Sequence, residues 1–194
     1  GSAGNLLTVI EGGCNQIDAS NDLNLVTFIH RCDPTPIPSA DVPSGSAIAK
    51  YAYDVSKNRG LSWTSDIGAI TNNAGINNNT ICGRFPQALI YNQSGNTIAD
   101  SAHFIYSGTW HDNNTWCGQM RGRGKLSGDL STYNVAIDQV NSKHVGIATG
   151  MCKGAPGVFW NLNTMYDGTF NAAGLTNGLV IQKGVWNTTT RNVD

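Results

Sequence analysis

Short apolar runs separated by clusters of turn residues are the feature that most constrains this chain of 194 residues. The runs are rich in Val, Ile, Tyr, Phe and Trp, and Gly, Asn, Asp and Ser gather between them. Few stretches keep a helical period over three turns, so the pattern predicts an all-β, antiparallel fold. The clearest runs cover residues 23–30, 48–55, 87–91, 102–106, 133–140, 145–149, 158–162 and 179–185, and residues 6–10 and 120–126 are further candidates.

Charge and length exclude several classes of protein. Twelve basic residues against thirteen acidic ones leave a formal net charge of -1, which gives no field to gather phosphates, so we expect no nucleic-acid partner. The chain contains no apolar run of about 18 residues, so we expect no membrane span. Residues 1–194 fit one domain or part of one, and the Pro- and Ser-rich residues 33–47 read as a surface loop.

The strands group into a loose repeat of three segments, residues 25–63, 86–126 and 133–186. Units of about 40 to 50 residues with about four strands have the size of β-propeller blades. The chain supplies only about three to four such blades, whereas a closed propeller needs about four to eight. We therefore expect an incomplete propeller that needs further blades or chains to complete it.

The strongest local motif is Ser56-Lys57-Asn58-Arg59-Gly60-Leu61-Ser62-Trp63. Asn58 can accept backbone N–H groups of a turn, Gly60 can supply a positive φ, and Trp63 can plug between neighbouring strands. The motif resembles the Asp-box (BNR repeat) of sialidase-like β-propellers, with Ser56, Asn58, Gly60, Ser62 and Trp63 in the motif positions. The resemblance implies a structural turn on a blade edge, away from any catalytic face, and implies nothing about sugar cleavage.

A second stretch, Gly83-Arg84-Phe85-Pro86-Gln87-Ala88-Leu89-Ile90-Tyr91-Asn92 with Ser94-Gly95-Asn96-Thr97, resembles blade openings of large secreted propeller proteins of the Bacteroidetes type. This resemblance implies a secreted or cell-surface location on the bacterial exterior. In the same context, Asp100-Ser101-Ala102 matches a short acceptor pattern for O-glycans, with Ser101 as the acceptor; the alternative is a simple strand entrance.

Arg84-Phe85-Pro86 also resembles the Arg-Ile-Pro motif of sialidases, whose arginine binds a substrate carboxylate as a bidentate fork. In that family the motif precedes the first Asp-box, whereas Arg84 follows it here. A structural arginine that opens a strand is therefore the favoured interpretation.

Two further groups are candidates for ligand binding. Trp110 and Trp116 flank the polar residues 111–115, which include His111 and Asp112, and exposed indole rings can stack on sugar faces. Arg121 and Arg123 belong to the one basic cluster, residues 120–125, which can bind an acidic glycan or the carboxylates of a partner. A solvated strand edge is the favoured interpretation of this cluster.

The histidines and cysteines give weaker predictions. His103 and His111 could meet across a hairpin turn at Gly108, but structural histidines are favoured over a metal site, and we predict no metal and no cofactor. Two disulfides with one Cys left over would fit an exported protein, with Cys14–Cys32 and Cys82–Cys117 as trial pairings; reduced, buried cysteines are the alternative. The five cysteines are Cys14, Cys32, Cys82, Cys117 and Cys152.

These patterns together favour a secreted or cell-surface propeller module with a binding or structural role, whose partners are glycans or other protein chains. Two alternatives stay open. One is a sialidase-like glycoside hydrolase, and it requires at least two arginines and a carboxylate around one pocket. The other is a surface assembly protein that joins other chains through open sheet edges.

Overall fold

Twelve strands form three four-stranded antiparallel sheets in the computed structural model of the chain, which describes residues 15–31, 51–70, 81–112, 115–126, 134–137, 148–165 and 178–194. Within these ranges the only helical element is a 3₁₀ turn at Ala99–Ser101. None of the described segments forms a helix long and apolar enough to cross a membrane. The prediction of an all-β, antiparallel fold is therefore confirmed.

Each sheet is a meander whose neighbouring strands follow one another along the chain. The first sheet contains β1 (Ile17–Ser20), β2 (Leu25–Arg31), β3 (Tyr51–Ser56) and β4 (Thr64–Ile70). The second contains β5 (Ile81–Tyr91), β6 (His103–Asp112), β7 (Thr115–Lys125) and β8 (Asn134–Ile137). The third contains β9 (Ala148–Lys153), β10 (Val158–Met165), β11 (Gly178–Asn187) and β12 (Asn192–Val193).

Nine of these strands overlap the runs expected from the sequence. The expected grouping is wrong at β8, which falls in the predicted third segment, residues 133–186, but belongs to the second sheet. The strands that the pattern missed are β1, β4 and β12, and all three lie at sheet edges. An edge strand can be short and polar because only one side of it is paired, so its apolar alternation is weak. The expected strand at residues 6–10 and the expected loop at residues 33–47 lie outside the described residues.

The second sheet lies between the other two and is buried on both faces. Side chains of successive strand residues point to opposite faces, so Ile90 and Phe104 face the first sheet while Leu89 and Ile105 face the third. On the first-sheet side, the Tyr53 and Phe104 rings stack with centroids 4.5 Å apart. The residues that the first and third sheets add to these two clusters are Leu23, Leu25, Ile29, Tyr51, Tyr53 and Val55, and Met151, Phe159 and Trp186.

The first strands of the three sheets converge at Asp18 of β1. One carboxylate oxygen of Asp18 accepts the backbone N–H of Ile90 in β5 at 2.6 Å and lies 2.6 Å from Nζ of Lys153 in β9. Nearby, the Asn15 carbonyl accepts the N–H of Ala88 at 2.8 Å, and the Asn15 side chain accepts the N–H of Met151 at 3.3 Å. Polar groups before and within β1 therefore join all three sheets.

The motif at residues 56–63 forms the β3–β4 turn. Ser56 Oγ is buried; it accepts the N–H of Gly60 at 2.8 Å and donates to Asn58 Oδ1 at 2.9 Å. Asn58 Oδ1 also accepts the N–H of Ser62 at 2.8 Å, and Gly60 has φ +90°. The expected roles of Asn58 and Gly60 match this geometry.

The expected role of Trp63 is wrong. Its side chain is 41% exposed and does not plug between strands. The indole N–H instead donates to the Gly60 carbonyl at 3.1 Å, and the ring lies over Gly60. Contacts within the turn therefore hold the Trp63 side chain at the protein surface.

We expect Ser56→Ala to lower the free energy of unfolding by about 1–3 kcal/mol, because the turn N–H groups lose a buried acceptor. Chemical denaturation monitored by tryptophan fluorescence measures this. The control is Ser62→Ala, which removes an exposed hydroxyl of the same turn and should change stability by less than about 0.5 kcal/mol. Equal effects of the two substitutions would contradict the role given to Ser56.

Candidate functional site

A cleft of about 400 Å³ lies between the second and third sheets. Strands β6 and β7 form one wall, and β9 to β12 form the other. Apolar residues form part of its surface, and the remainder is polar or charged. The polar residues at the cleft include Ser107, Arg121, Asn161, Gln182, Asn192 and Asp194.

Hydrogen-bonded amides cross the interface beside the cleft. Asn161 Oδ1 accepts from Gln87 Nε2 at 2.6 Å, and Asn161 Nδ2 donates to Ser107 Oγ at 2.9 Å and to Gln182 Oε1 at 3.2 Å. Gln87 is fully buried, and its Oε1 has no partner among the described residues. An unsatisfied buried acceptor lowers stability. Gln87 Oε1 can therefore gain a favourable hydrogen bond from a further donor.

Strand β7 contributes a row of basic residues to the same interface. Arg121, Arg123 and Lys125 alternate with glycines and pair with Ser107, Ile105 and His103 of β6, so they share the face toward the third sheet. Alternate residues of a strand lie about 6.6–6.8 Å apart. The favoured interpretation of this cluster as a strand edge is wrong, because β7 pairs with β6 on one side and β8 on the other.

His103 lies at the end of the basic row, in contact with the third sheet. It is 4% exposed, and its ring lies 4.6 Å from the Trp186 ring between centroids. Burial, and then the charges of Arg123, Lys125 and Arg191, lower the pKa of His103 to about 4. His103 is therefore neutral at pH 7, within a cluster of positive charges.

We expect stability to fall as the pH drops from about 6.5 toward 4. Unfolded His103 takes up a proton near its ordinary pKa of about 6.5, whereas folded His103 resists protonation until about pH 4, so acid favours the unfolded state in this window. Denaturation at pH 7 and pH 5 tests this, with His103→Gln expected to reduce the difference. An NMR titration that shows an ordinary pKa for folded His103 would contradict the prediction.

The other predicted binding residues gather at the far end of the second sheet. Backbone register pairs Trp110 with Gly83 and Gly118, and pairs His111 with Cys82 and Trp116. Asp112 pairs with Thr115, so residues 111, 112 and 115 belong to strands rather than to a long loop. Trp110 lies three residues beyond Ser107, the partner of Arg121, which is about 10 Å along the strand.

Arg84 lies at this same end, next to an irregularity in β5. It pairs with Thr109, and the register shifts before Gln87. Phe85 has φ +51°, a left-handed conformation that is strained for a bulky residue and unusual before proline. A bulge of this kind redirects the strand and the side chains next to it.

The expected approach of His103 to His111 is wrong. Both residues lie on β6, and Gly108 is inside that strand rather than at a turn. Their eight-residue separation along a strand corresponds to about 26 Å. Across the described residues there is no group of three or more His, Cys, Asp or Glu side chains that could hold a metal ion.

The trial disulfides gain no support from the described backbone. Strand β6 lies between the strands that carry Cys82 and Cys117, so these positions are two strand spacings apart, about 9.5 Å. Disulfides join Cα atoms that are usually about 4.4–6.8 Å apart. Cys14 and Cys32 lie outside the described residues, and Cys152 is a free, exposed thiol.

Ser101 is exposed in the 3₁₀ turn Ala99–Ser101. The neighbouring Asp100 pairs with Lys57 of the β3–β4 turn. Ser101 is therefore accessible to a modifying enzyme, and its glycosylation stays a prediction.

Sequence reasoning missed the third-sheet wall of the cleft. Asn161, Gln182, Arg191 and Asp194 carry no motif, and they meet the second sheet only through packing. The alternation of Arg121, Arg123 and Lys125 with glycines was the available signal, because it places three charges on one face of a strand.

No protein-family model matches the chain, and no curated protein matches it.

Proposed function

We propose that the chain forms consecutive blades of a β-propeller in a secreted or cell-surface protein and acts as a glycan-binding module. The proposed binding surface is the cleft between the second and third sheets, which continues along β6 and β7 toward Trp116. The observation that carries this proposal is the cleft itself, where Arg121 and a row of amides line a space of about 400 Å³.

The sheet arrangement supports the propeller. Three four-stranded meanders follow one another in the chain and stack face to face, as the blades of a propeller do. Their first strands β1, β5 and β9 converge at Asp18, and innermost strands of blades converge in the same way around a central axis. The β3–β4 turn adds the hydrogen bonds expected of an Asp-box, with Asn58 in place of aspartate.

The chemistry of the cleft supports glycan binding. Sugar hydroxyl groups both donate and accept hydrogen bonds, which suits the amides of Asn161 and Gln182. Arg121 adds an exposed guanidinium that can form two parallel bonds to an acidic substituent. By backbone register Trp116 pairs with His111, four residues beyond Ser107, so it is the candidate for stacking against a sugar ring. Trp110 lies three residues beyond Ser107 and belongs to the opposite face of the sheet.

Binding is better supported than hydrolysis. Among the described residues, Arg121 is the one arginine that lines the cleft and Asp194 is the one carboxylate. A sialidase-like site requires a cluster of arginines around the substrate carboxylate, and most glycosidases require a pair of carboxylic acids. The alternative of a sialidase-like hydrolase therefore rests on the resemblance of Arg84-Phe85-Pro86 alone.

Assembly with other chains is a second candidate function, and the outer face of the third sheet favours it. Trp160, Ile181 and Val185 are 39%, 68% and 44% exposed and lie on the face opposite Phe159 and Trp186. Exposed apolar side chains on one face of a sheet mark a candidate interaction surface, and Lys183 lies among them with Nζ 6.0 Å from the Trp160 ring centroid. A further blade or another chain would cover this face.

A glycan array followed by calorimetry on the purified 194-residue chain tests the binding proposal. We expect Arg121→Ala to weaken binding of an acidic glycan at least about tenfold, since charge-assisted hydrogen bonds contribute roughly 1.5–3 kcal/mol. Trp116→Ala should weaken binding through loss of stacking. Lys57→Ala, on the β3–β4 turn, is the matched control and should bind normally. No glycan bound, or unchanged affinity in the cleft variants, would contradict the proposal.

A further inference from the structure

We propose that Arg123 and Arg191, beside the cleft, form an oxyanion site and together hold a sulfate or phosphate group. The attachment of this group to a glycan rests on the proposed function, whereas the oxyanion site itself does not. Arg123 projects from β7 of the second sheet, and Arg191 lies in the turn between β11 and β12 of the third.

Three of the other basic residues in the described structure have polar partners. Lys153 pairs with Asp18 at 2.6 Å, Lys57 pairs with Asp100, and Arg59 donates to Asn24 Oδ1 at 2.7 Å. Arg123 and Arg191, in contrast, pair with no carboxylate in the part of the chain that the structure describes. Val193, two residues after Arg191, packs against the apolar cluster that contains Ile105, the β6 partner of Arg123, so the two arginines approach each other across the sheet interface.

The two arginines disfavour each other's charge. The pKa of Arg123 is lowered first by burial and then by the charge of Arg191. An anion between them would replace this repulsion with two charge-assisted interactions. His103 is neutral at pH 7, so it adds no further positive charge to this repulsion.

Several buried hydrogen-bond donors near Arg123 have no acceptor among the described residues. Arg123 Nε and Trp186 Nε1 are buried N–H groups without a hydrogen-bond partner, and His103 Nδ1 is also unpartnered. His103 and Trp186 are in ring contact, so these atoms belong to one cluster. No acceptor within the described residues serves these groups, so an oxyanion could accept hydrogen bonds from them.

The Arg191 turn is held in place before any ligand binds. Asn187 Oδ1 accepts the N–H groups of Thr189 at 2.9 Å and Thr190 at 3.1 Å. Arg191 itself has φ +53°, a left-handed conformation that costs a non-glycine residue energy unless its surroundings fix it. A fixed backbone reduces the entropy lost when the side chain binds an anion.

A sulfate or phosphate group fits this site better than a carboxylate does. One carboxylate has two oxygens, which a single guanidinium can occupy in a bidentate pair. A sulfate or phosphate ester offers three terminal oxygens and can therefore bond two guanidinium groups at once. The two arginines thus indicate a ligand with a tetrahedral oxyanion.

Titration of the 194-residue chain with sodium sulfate and with sodium phosphate, against sodium chloride at equal ionic strength, tests the site. We expect saturable shifts of the Arg123 Nε–Hε NMR signal and a rise in the thermal midpoint with the two oxyanions but not with chloride. Arg123→Gln and Arg191→Gln should each raise the Kd at least about tenfold, and Arg191→Lys should restore part of the affinity. Lys57→Gln is the control and should behave as the unaltered chain.

Three results would overturn the site. The first is that sulfate and phosphate change the NMR signal and the thermal midpoint no more than chloride does. The second is that Arg191→Gln leaves oxyanion binding unchanged. Arg191 is an exposed turn residue, so its substitution keeps the test valid even if Arg123→Gln fails to fold. A third contradicting result is a fully unshifted Arg123 signal at saturating sulfate.

A comparison of a sulfated oligosaccharide with its desulfated form separates this inference from the proposed function. Tighter binding of the sulfated form that disappears in Arg191→Gln supports both. Binding of inorganic sulfate without binding of either oligosaccharide supports the oxyanion site and contradicts glycan binding. Equal binding of both oligosaccharides, unchanged in Arg191→Gln, supports glycan binding and overturns the oxyanion site.

Discussion

Burial of the second sheet on both of its faces is the constraint on which the rest of this structure depends. Its strands alternate between two apolar sets, and each set packs against a different neighbouring sheet. The close approach requires small residues at particular points: a Cβ at Gly108 would collide with the Tyr51 ring of the first sheet. Because interiors are close-packed, the positions of the outer sheets follow from this central sheet.

The two interfaces of the central sheet differ in chemistry. The interface with the first sheet is aromatic and apolar, with Tyr51, Tyr53 and Phe104 at its centre. The interface with the third sheet begins with Phe159 and Trp186 but continues into amides and arginines. Burial of polar groups is unfavourable for stability unless they are paired, and within the described residues Gln87 Oε1 and Arg123 Nε stay unpaired at this interface.

Sequence patterns predicted the strands of the sheet interiors because apolar alternation reports directly on burial. They also predicted the Asn58 and Gly60 turn, since a short polar side chain and a positive φ are local requirements. The pattern did not predict the edge strands β1, β4 and β12, because a strand that is paired on only one side can have little apolar surface. The third-sheet side of the cleft could not be predicted, because the proximity of Arg191 to Arg123 depends on how two sheets pack and not on any local pattern.

We propose that ligands bind between the second and third sheets. Amide hydrogen exchange of the 194-residue chain, measured with and without a sulfated oligosaccharide, tests this proposal. We expect slower exchange at residues 121–125 of β7 and in the turn at residues 188–191, with unchanged exchange in the β3–β4 turn at residues 57–63. Protection confined to the far end of the second sheet, at residues 82–84 and 110–116, or no protection anywhere, would contradict it.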